Sequence, residues 1–117
     1  MNKRIFTLKE SIDLLPRVQE LTTAAVERAE EVLRSLEETP DNQTRKKLEE
    51  RYHHLVRSWA EDIGNLGAEV KGLWLVDFDS GDGIYYCWRY PESEIEFFHD
   101  YDTGFAGRRP LGKLGPN

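Results

Sequence analysis

"IYYCWRYPESEIEFFHD", residues 84–100, contains two runs of alternating apolar and polar side chains, separated by the turn-forming letters PESE. A period of two is that of a β-strand, and a four-residue polar loop is typical of a hairpin. Pairing Tyr90 with Ile95 places Arg89 opposite Glu96, which carries the opposite charge, and places the aromatic Trp88 opposite the aromatic Phe97. A slip of one residue would mismatch both faces. The stretch therefore predicts two antiparallel strands in that register.

This register bears directly on chemistry, because the same stretch contains the single cysteine of the chain and a histidine. It sets Tyr86 opposite His99 and Cys87 opposite Phe98, which sends Cys87 and His99 to opposite faces of the sheet. A cysteine nucleophile needs its base within hydrogen-bond reach. The predicted register therefore disfavours a Cys–His catalytic pair, and it leaves open whether the protein is an enzyme.

The remaining elements follow from hydrophobic period. "LWLVDF", residues 73–78, is followed by the glycine turn "DSGDG" and predicts a third strand. Upstream, apolar residues recur every three or four positions along two segments, about 16–38 and 43–66, which is the period of amphipathic helices. Thr7 and Glu10 form a capping box that begins the first helix near Leu8, and Pro16 is expected to kink it or to begin a second helix.

The short link "TPDN", residues 39–42, requires the two long helices to be antiparallel neighbours. The predicted fold class is α+β, with a long antiparallel helical hairpin packed on one face of a three-stranded antiparallel β-meander. Residues 1–111 are expected to form one domain. Residues 112–117, in a Gly- and Pro-rich tail, are expected to be flexible.

Composition narrows the function classes. The 117 residues carry a net charge of -6, which disfavours nucleic acid and anionic membrane surfaces as partners. One cysteine excludes an intramolecular disulfide, and the charged start lacks the apolar run of a signal peptide, so a cytoplasmic location is expected. No apolar stretch approaches the length of a membrane span.

Two acidic stretches are candidate metal sites. His99, Asp100 and Asp102 are close in sequence, but neighbouring strand residues point to opposite faces, so ligands from elsewhere would be needed. "DFDSGDG" has the oxygen-rich look of a calcium loop, but Trp88 stands at the twelfth position where the closing glutamate belongs. The sequence therefore predicts no bound metal and no cofactor. The residues that remain as a candidate ligand or partner surface are Asp77, Cys87, Arg89, Glu92, Glu96, His99, Asp100 and Arg109.

Three blocks of the chain resemble a prokaryotic family known as domain of unknown function 2203. They are "FTLKESIDLLP", "VKGLWLVDF" and "YYCWRYPESEIEFFHDYDTGFAGRRPL", of which the last is the most specific. The chain departs from the family pattern at Leu73-Trp74, Pro91, Phe98 and Arg109, where Phe98 replaces the usual Trp and Arg109 a Gln. The resemblance implies a discrete domain and carries no activity or cofactor with it. It singles out Asp77, Cys87, Arg89, Glu92, His99 and Asp100.

Two functions from different classes remain. The first is a non-catalytic assembly or adaptor module that forms a homodimer through its helices, with Val32 or Leu33 near the interface centre, and presents its outer sheet face to an unidentified protein partner. The second is a small metal-binding protein or enzyme with a site near Asp77, Glu92, His99 and Asp100.

Overall fold

The computed structural model describes residues 4–114, apart from the side chain of Lys113. Two long helices, α1 (Leu8–Glu38) and α2 (Asn42–Asn65), form the predicted antiparallel hairpin. The capping box is confirmed, since the Thr7 hydroxyl accepts the Glu10 N–H at 3.0 Å and the Glu10 carboxylate accepts the Thr7 N–H at 2.8 Å. α1 is one helix that continues through Pro16, so a second helix does not begin there.

The sheet is antiparallel and has five strands instead of the predicted three. The strands are β1 (Glu69–Gly72), β2 (Leu75–Asp79), β3 (Ile84–Arg89), β4 (Phe97–Asp100) and β5 (Arg109–Pro110), and they are neighbours in chain order. The predicted meander corresponds to β2, β3 and β4. The two additional strands lie at the edges of the sheet. β5 has two residues, which is too few to show a period of two, and in β1 the only polar alternation is that of Glu69 and Lys71.

The helical hairpin packs on one face of the sheet, as the sequence predicts. The shared core combines Leu15 and Val18 of α1, Ile63 of α2, and Phe78 and Trp88 of the sheet. A buried hydrogen bond of 2.9 Å from Trp59 Nε1 to Thr22 Oγ1 also joins the two helices. The helices therefore cover one face of the sheet, and the opposite face, called the outer face below, does not pack against them.

The predicted register of the β3–β4 hairpin is wrong by one residue. Tyr85 pairs with His99 and Cys87 pairs with Phe97. His99 and Phe97 therefore lie on the same sheet face as Cys87, away from the helices, whereas Phe98 pairs with Tyr86 and lies on the other face.

The loop between β3 and β4 explains the slip. It spans residues 90–96 instead of the predicted four, and it curls around Glu92. The Glu92 carbonyl accepts Trp88 Nε1–H at 2.8 Å, and its carboxylate accepts the Arg89 N–H at 2.8 Å. Ile95 reaches the core from this loop and not from a strand. Ile95 is apolar because it is buried in the core, although it does not pair in a strand. Counting it as a strand residue shifts the predicted register by one.

β5 is followed by a single turn in the described part of the chain. Leu111–Leu114 forms a 3₁₀ turn in which Leu111 packs against the core. The predicted flexible tail, residues 112–117, lies partly outside the described residues, and its flexibility stays a prediction. Within residues 4–114, neither helix has the length and apolar character needed to cross a membrane.

Candidate functional site

Three polar side chains from three adjacent strands converge on the sheet face opposite the helices. Asp77 of β2 is paired with Cys87 of β3, and His99 of β4 is paired with the neighbouring Tyr85. One carboxylate oxygen, the thiol sulfur and one imidazole nitrogen of the three residues all lie within 4.8 Å of one another. All three side chains are buried. The prediction that Cys87 and His99 lie on opposite faces is therefore wrong.

Asp77 and His99 share a proton. The Nδ1 atom of His99 lies 2.8 Å from the backbone carbonyl of Asp100, and because a carbonyl only accepts, Nδ1 must carry hydrogen. The Nε2 atom lies 2.8 Å from Oδ2 of Asp77, so this second hydrogen bond requires a proton on either the imidazole or the carboxylate. Desolvation by burial raises the pKa of Asp77, although the neighbouring His99 opposes the increase.

The thiol of Cys87 is protonated in this environment. Burial raises the pKa of Cys87, and the adjacent Asp77 carboxylate raises it further. Reactive cysteines require the opposite, an exposed thiol with a lowered pKa. The thiol is a weak hydrogen-bond donor toward Asp77, and Oδ1 of Asp77 has no conventional hydrogen-bond partner among the described residues. The cluster thus contains a buried carboxylate oxygen whose bonding is incomplete.

A lysine flanks this cluster on the side of β1. The Lys71 ammonium lies 3.9 Å from Oδ2 of Asp77, 3.4 Å from the Glu69 carboxylate and 3.8 Å from the ring centre of Tyr85. The Tyr85 hydroxyl also donates to Glu69 at 3.2 Å. The lysine therefore places a positive charge beside the buried Asp77 carboxylate.

The C-terminal segment covers the other side. The Arg108 guanidinium lies 4.0 Å from the ring centre of Phe97, the residue paired with Cys87, and 4.6 Å from that of Phe105. It is joined to the Glu92 carboxylate at 2.5 Å. Because both charged groups are mostly buried, this ion pair ties the loop between β3 and β4 to the chain that follows β4.

The other predicted site residues lie outside the cluster. The Asp100 carboxylate forms an exposed ion pair with Arg109 at 3.0 Å, although the Asp100 carbonyl orients His99. Arg89 is exposed, and its guanidinium lies 5.6 Å from the Phe105 ring centre. Glu96 is exposed in the loop, so the predicted pairing of Arg89 with Glu96 is wrong. The structure thus brings together Asp77, Cys87 and His99 and links Glu92 to them through Arg108.

Arg108 and Lys71 lie next to the cluster, although neither is among the site residues predicted from the sequence. Arg108 and Arg109 are adjacent, and only the path of the chain before β5 shows that Arg108 faces the Cys87 side while Arg109 pairs with Asp100. Lys71 lies on β1, which was not predicted. Its one available signal is the alternation of Glu69 and Lys71, which places both on one face of an extended segment.

The donor set determines what this cluster can bind. Carboxylate oxygen, thiolate sulfur and imidazole nitrogen are the three ligand types that proteins use for zinc. The hydrogen bond from His99 Nδ1 to a backbone carbonyl is the usual way in which proteins orient a histidine ligand. A nucleophilic role fits less well, since Cys87 is fully buried and protonated.

The fold and this cluster define a small α+β domain in which a helical hairpin supports a sheet with a buried Asp–Cys–His group on its outer face. The chain belongs to the family described as Uncharacterized conserved protein (DUF2203), whose profile matches residues 4–111. The family resemblance noted in the sequence is thereby confirmed. No curated protein and no solved structure matches the chain.

Proposed function

We propose that this protein is a small metal-binding domain, in which Asp77, Cys87 and His99 hold one transition-metal ion of the zinc class. The observation that carries the proposal is the convergence of three different donor atoms within 4.8 Å, at full burial, from three adjacent strands. The expectation of no metal considered two acidic runs, each of which lacks the ligand spacing of a closed site. It did not consider donors from three separate strands, which the observed register brings together. A cytoplasmic location, where a thiol stays reduced, is part of the proposal.

The distances are compatible with a tetrahedral ion after a small adjustment. Zinc bonds of about 2.0 to 2.3 Å place neighbouring ligand atoms roughly 3.3 to 3.8 Å apart. The three donors lie no more than 4.8 Å apart, and the 2.8 Å contact between Asp77 and His99 would open as the shared proton leaves. Three protein ligands leave a fourth position for water or a small molecule, which is the pattern of catalytic zinc sites.

Elemental analysis tests the proposal. The protein, purified without a histidine tag, is equilibrated with micromolar zinc, passed through a desalting column and measured for zinc per chain. We expect about one zinc per chain, because three buried donors with an oriented histidine favour tight binding. Substitution Cys87→Ser or His99→Ala is expected to reduce the content to near zero.

His54→Ala is the matched control, because His54 is exposed on α2 and remote from the cluster in the fold. It is expected to retain the zinc content of the wild type. A wild-type content below about a tenth of an ion per chain, at a free zinc concentration that saturates ordinary protein sites, contradicts the proposal.

A second candidate function is homodimerisation through the helices, as an assembly module. The core shared with the sheet reaches only to Ala25 on α1 and Trp59 on α2. The remaining residues 26–38 of α1, about 20 Å of helix, contribute no residue to this core shared with the sheet. This end of the hairpin, residues 26–38 of α1 with the facing start of α2, is called the projection below. Leu33 on the projection is 43% exposed. Val32 is buried inside the hairpin, so of the two residues expected at the centre Leu33 remains.

The charges on the projection favour a second copy as the partner. Residues 27–38 of α1 contain five acidic and two basic side chains, whereas residues 42–51 of α2 contain four basic and two acidic ones. A two-fold axis placed so that α1 of one copy meets α2 of the other would bring opposite charges together. An unidentified protein partner, with the domain as an adaptor, is the alternative.

A further inference from the structure

The strap, a name used here for residues 104–108, lies on the outer sheet face beside Phe97, the residue paired with Cys87. Phe97 pairs with Cys87 in the sheet, and the Arg108 guanidinium stacks on the Phe97 ring at 4.0 Å. The ring centre of Phe105, also in the strap, lies 4.6 Å from the same guanidinium. Cys87 has no exposed surface in this arrangement. A reagent or an ion therefore reaches the thiol only after something moves.

The strap is weakly attached to the rest of the protein. It is followed by β5, which is paired to β4 by only two residue pairs, Phe97 with Pro110 and Phe98 with Arg109. It begins at Gly104, whose φ of 65° lies in the left-handed region that glycine adopts easily. Phe105 is 41% exposed, so its burial contributes little. Segments with few buried contacts open more readily than the core.

One ion pair stands out as the contact that holds the strap closed. Arg108 and Glu92 meet at 2.5 Å, with side-chain exposures of 11% and 21%. Glu92 is itself fixed, because its carboxylate accepts the Arg89 N–H and its carbonyl accepts Trp88 Nε1–H. Loss of either charge would leave the other one buried without its partner, which is strongly unfavourable.

We propose that the strap opens locally, and that the Arg108–Glu92 ion pair sets how often it opens and thereby how fast a metal ion reaches Asp77, Cys87 and His99. The consequence for metal exchange rests on the proposed function. The opening itself is measured on the thiol of metal-free protein, so the two ideas fail separately.

The thiol test uses the Ellman reagent on native protein in the presence of a chelator. Each thiolate that attacks the reagent disulfide forms a mixed disulfide and releases one thionitrobenzoate, and Cys87 is the single cysteine of the chain. We expect slow reaction in the wild type and a rate roughly tenfold or more higher in Arg108→Gln and Glu92→Gln. The matched control is Arg109→Gln, which removes the neighbouring exposed pair with Asp100 and is expected to react like the wild type.

The urea dependence of the reaction rate separates local opening from unfolding. Local opening exposes little surface, so the rate should depend on urea much less steeply than global unfolding does. In stopped-flow mixing, the rates at which Arg108→Gln binds and releases zinc should both increase by the same factor as its thiol reaction rate. The affinity of this variant for zinc at equilibrium should therefore be unchanged. The proposal is overturned if Arg108→Gln reacts at the wild-type rate, or if the urea dependence equals that of unfolding. Absence of zinc binding overturns the metal site and leaves the thiol result standing.

Discussion

The Nε2 atom of His99 lies 2.8 Å from Oδ2 of Asp77 on a sheet face where both side chains are buried. The other imidazole nitrogen, Nδ1, is already committed to the Asp100 carbonyl. One proton therefore lies between Nε2 of His99 and Oδ2 of Asp77. Without that proton, each of these two atoms has a lone pair that could bind a metal ion. Cys87, the third member, keeps its own proton because burial raises its pKa. Under the proposed function, metal binding at this site is an exchange of protons for a cation.

We expect about two protons to be released for each zinc ion bound, because zinc requires a thiolate and a free Nε2 lone pair beside an ionised carboxylate. Titration calorimetry in buffers of different ionisation enthalpy measures this number as the slope of the observed heat. His99→Ala and Cys87→Ser, which are expected to lose the site, should show no buffer-dependent heat of binding. Release of no protons by the wild type would contradict the shared-proton geometry.

The stability of the metal-free protein should depend on pH through Asp77. Desolvation raises the pKa of Asp77 above its ordinary value of 3.8, so the folded state holds this proton more tightly than the unfolded chain. Its contribution to stability is therefore fully present below pH 3.8 and is lost as the pH rises through the higher folded-state pKa.

Urea denaturation of the wild type and Asp77→Asn across this range isolates the effect, since asparagine keeps the shape and does not titrate. The free energy of unfolding of the wild type should fall relative to that of Asp77→Asn as the pH increases. A relative rise would mean that the pKa of Asp77 is lowered by folding.

Lys71 should weaken metal binding, because its ammonium lies 3.9 Å from Oδ2 of Asp77 and repels a second cation there. Lys71→Met is expected to tighten zinc binding about tenfold, a modest effect because the lysine is partly exposed to solvent. The control is Lys9→Met, which removes an exposed lysine on α1 that pairs with Asp13. Equal affinities for the wild type and Lys71→Met would show that the ammonium moves away when the ion binds.

The helical projection should hold two chains together. At micromolar concentration, light scattering is expected to give a mass near twice 13.6 kDa, and Leu33→Glu should reduce it by placing a charge at the apolar contact. Ile12→Glu is the control, because Ile12 is equally exposed on α1 but outside the projection. A wild-type mass near 13.6 kDa rejects the dimer.

Strong periodic signals predicted the large elements of this fold. The capping box at Thr7 begins α1 at the predicted residue. β2, β3 and β4 were predicted to within two residues of their bounds. These elements could be predicted because their side-chain period is local, whereas β1 and β5 are edge strands stabilised by pairing with neighbours.

The candidate site could not be predicted as an arrangement, because it depends on register. Asp77, Cys87 and His99 were all named from the sequence, but a one-residue slip reverses the face of every side chain on a strand. The error of one residue in the register arises at Ile95. The alternation of the sequence predicts Ile95 in a strand, whereas it lies in the loop around Glu92 and packs into the core. The predicted pairing of Arg89 with Glu96 does not form, and the Arg89 N–H instead donates to the Glu92 carboxylate.

Titration of the metal-free protein with Co²⁺ tests the central claim most directly, because cobalt occupies zinc sites and its absorption reports the ligands. We predict a thiolate-to-cobalt charge-transfer band in the near ultraviolet and intense visible bands of a tetrahedral ion. Both should saturate at about one cobalt per chain and disappear in Cys87→Ser. A spectrum that remains that of aqueous Co²⁺ throughout the titration would contradict a metal site at Asp77, Cys87 and His99.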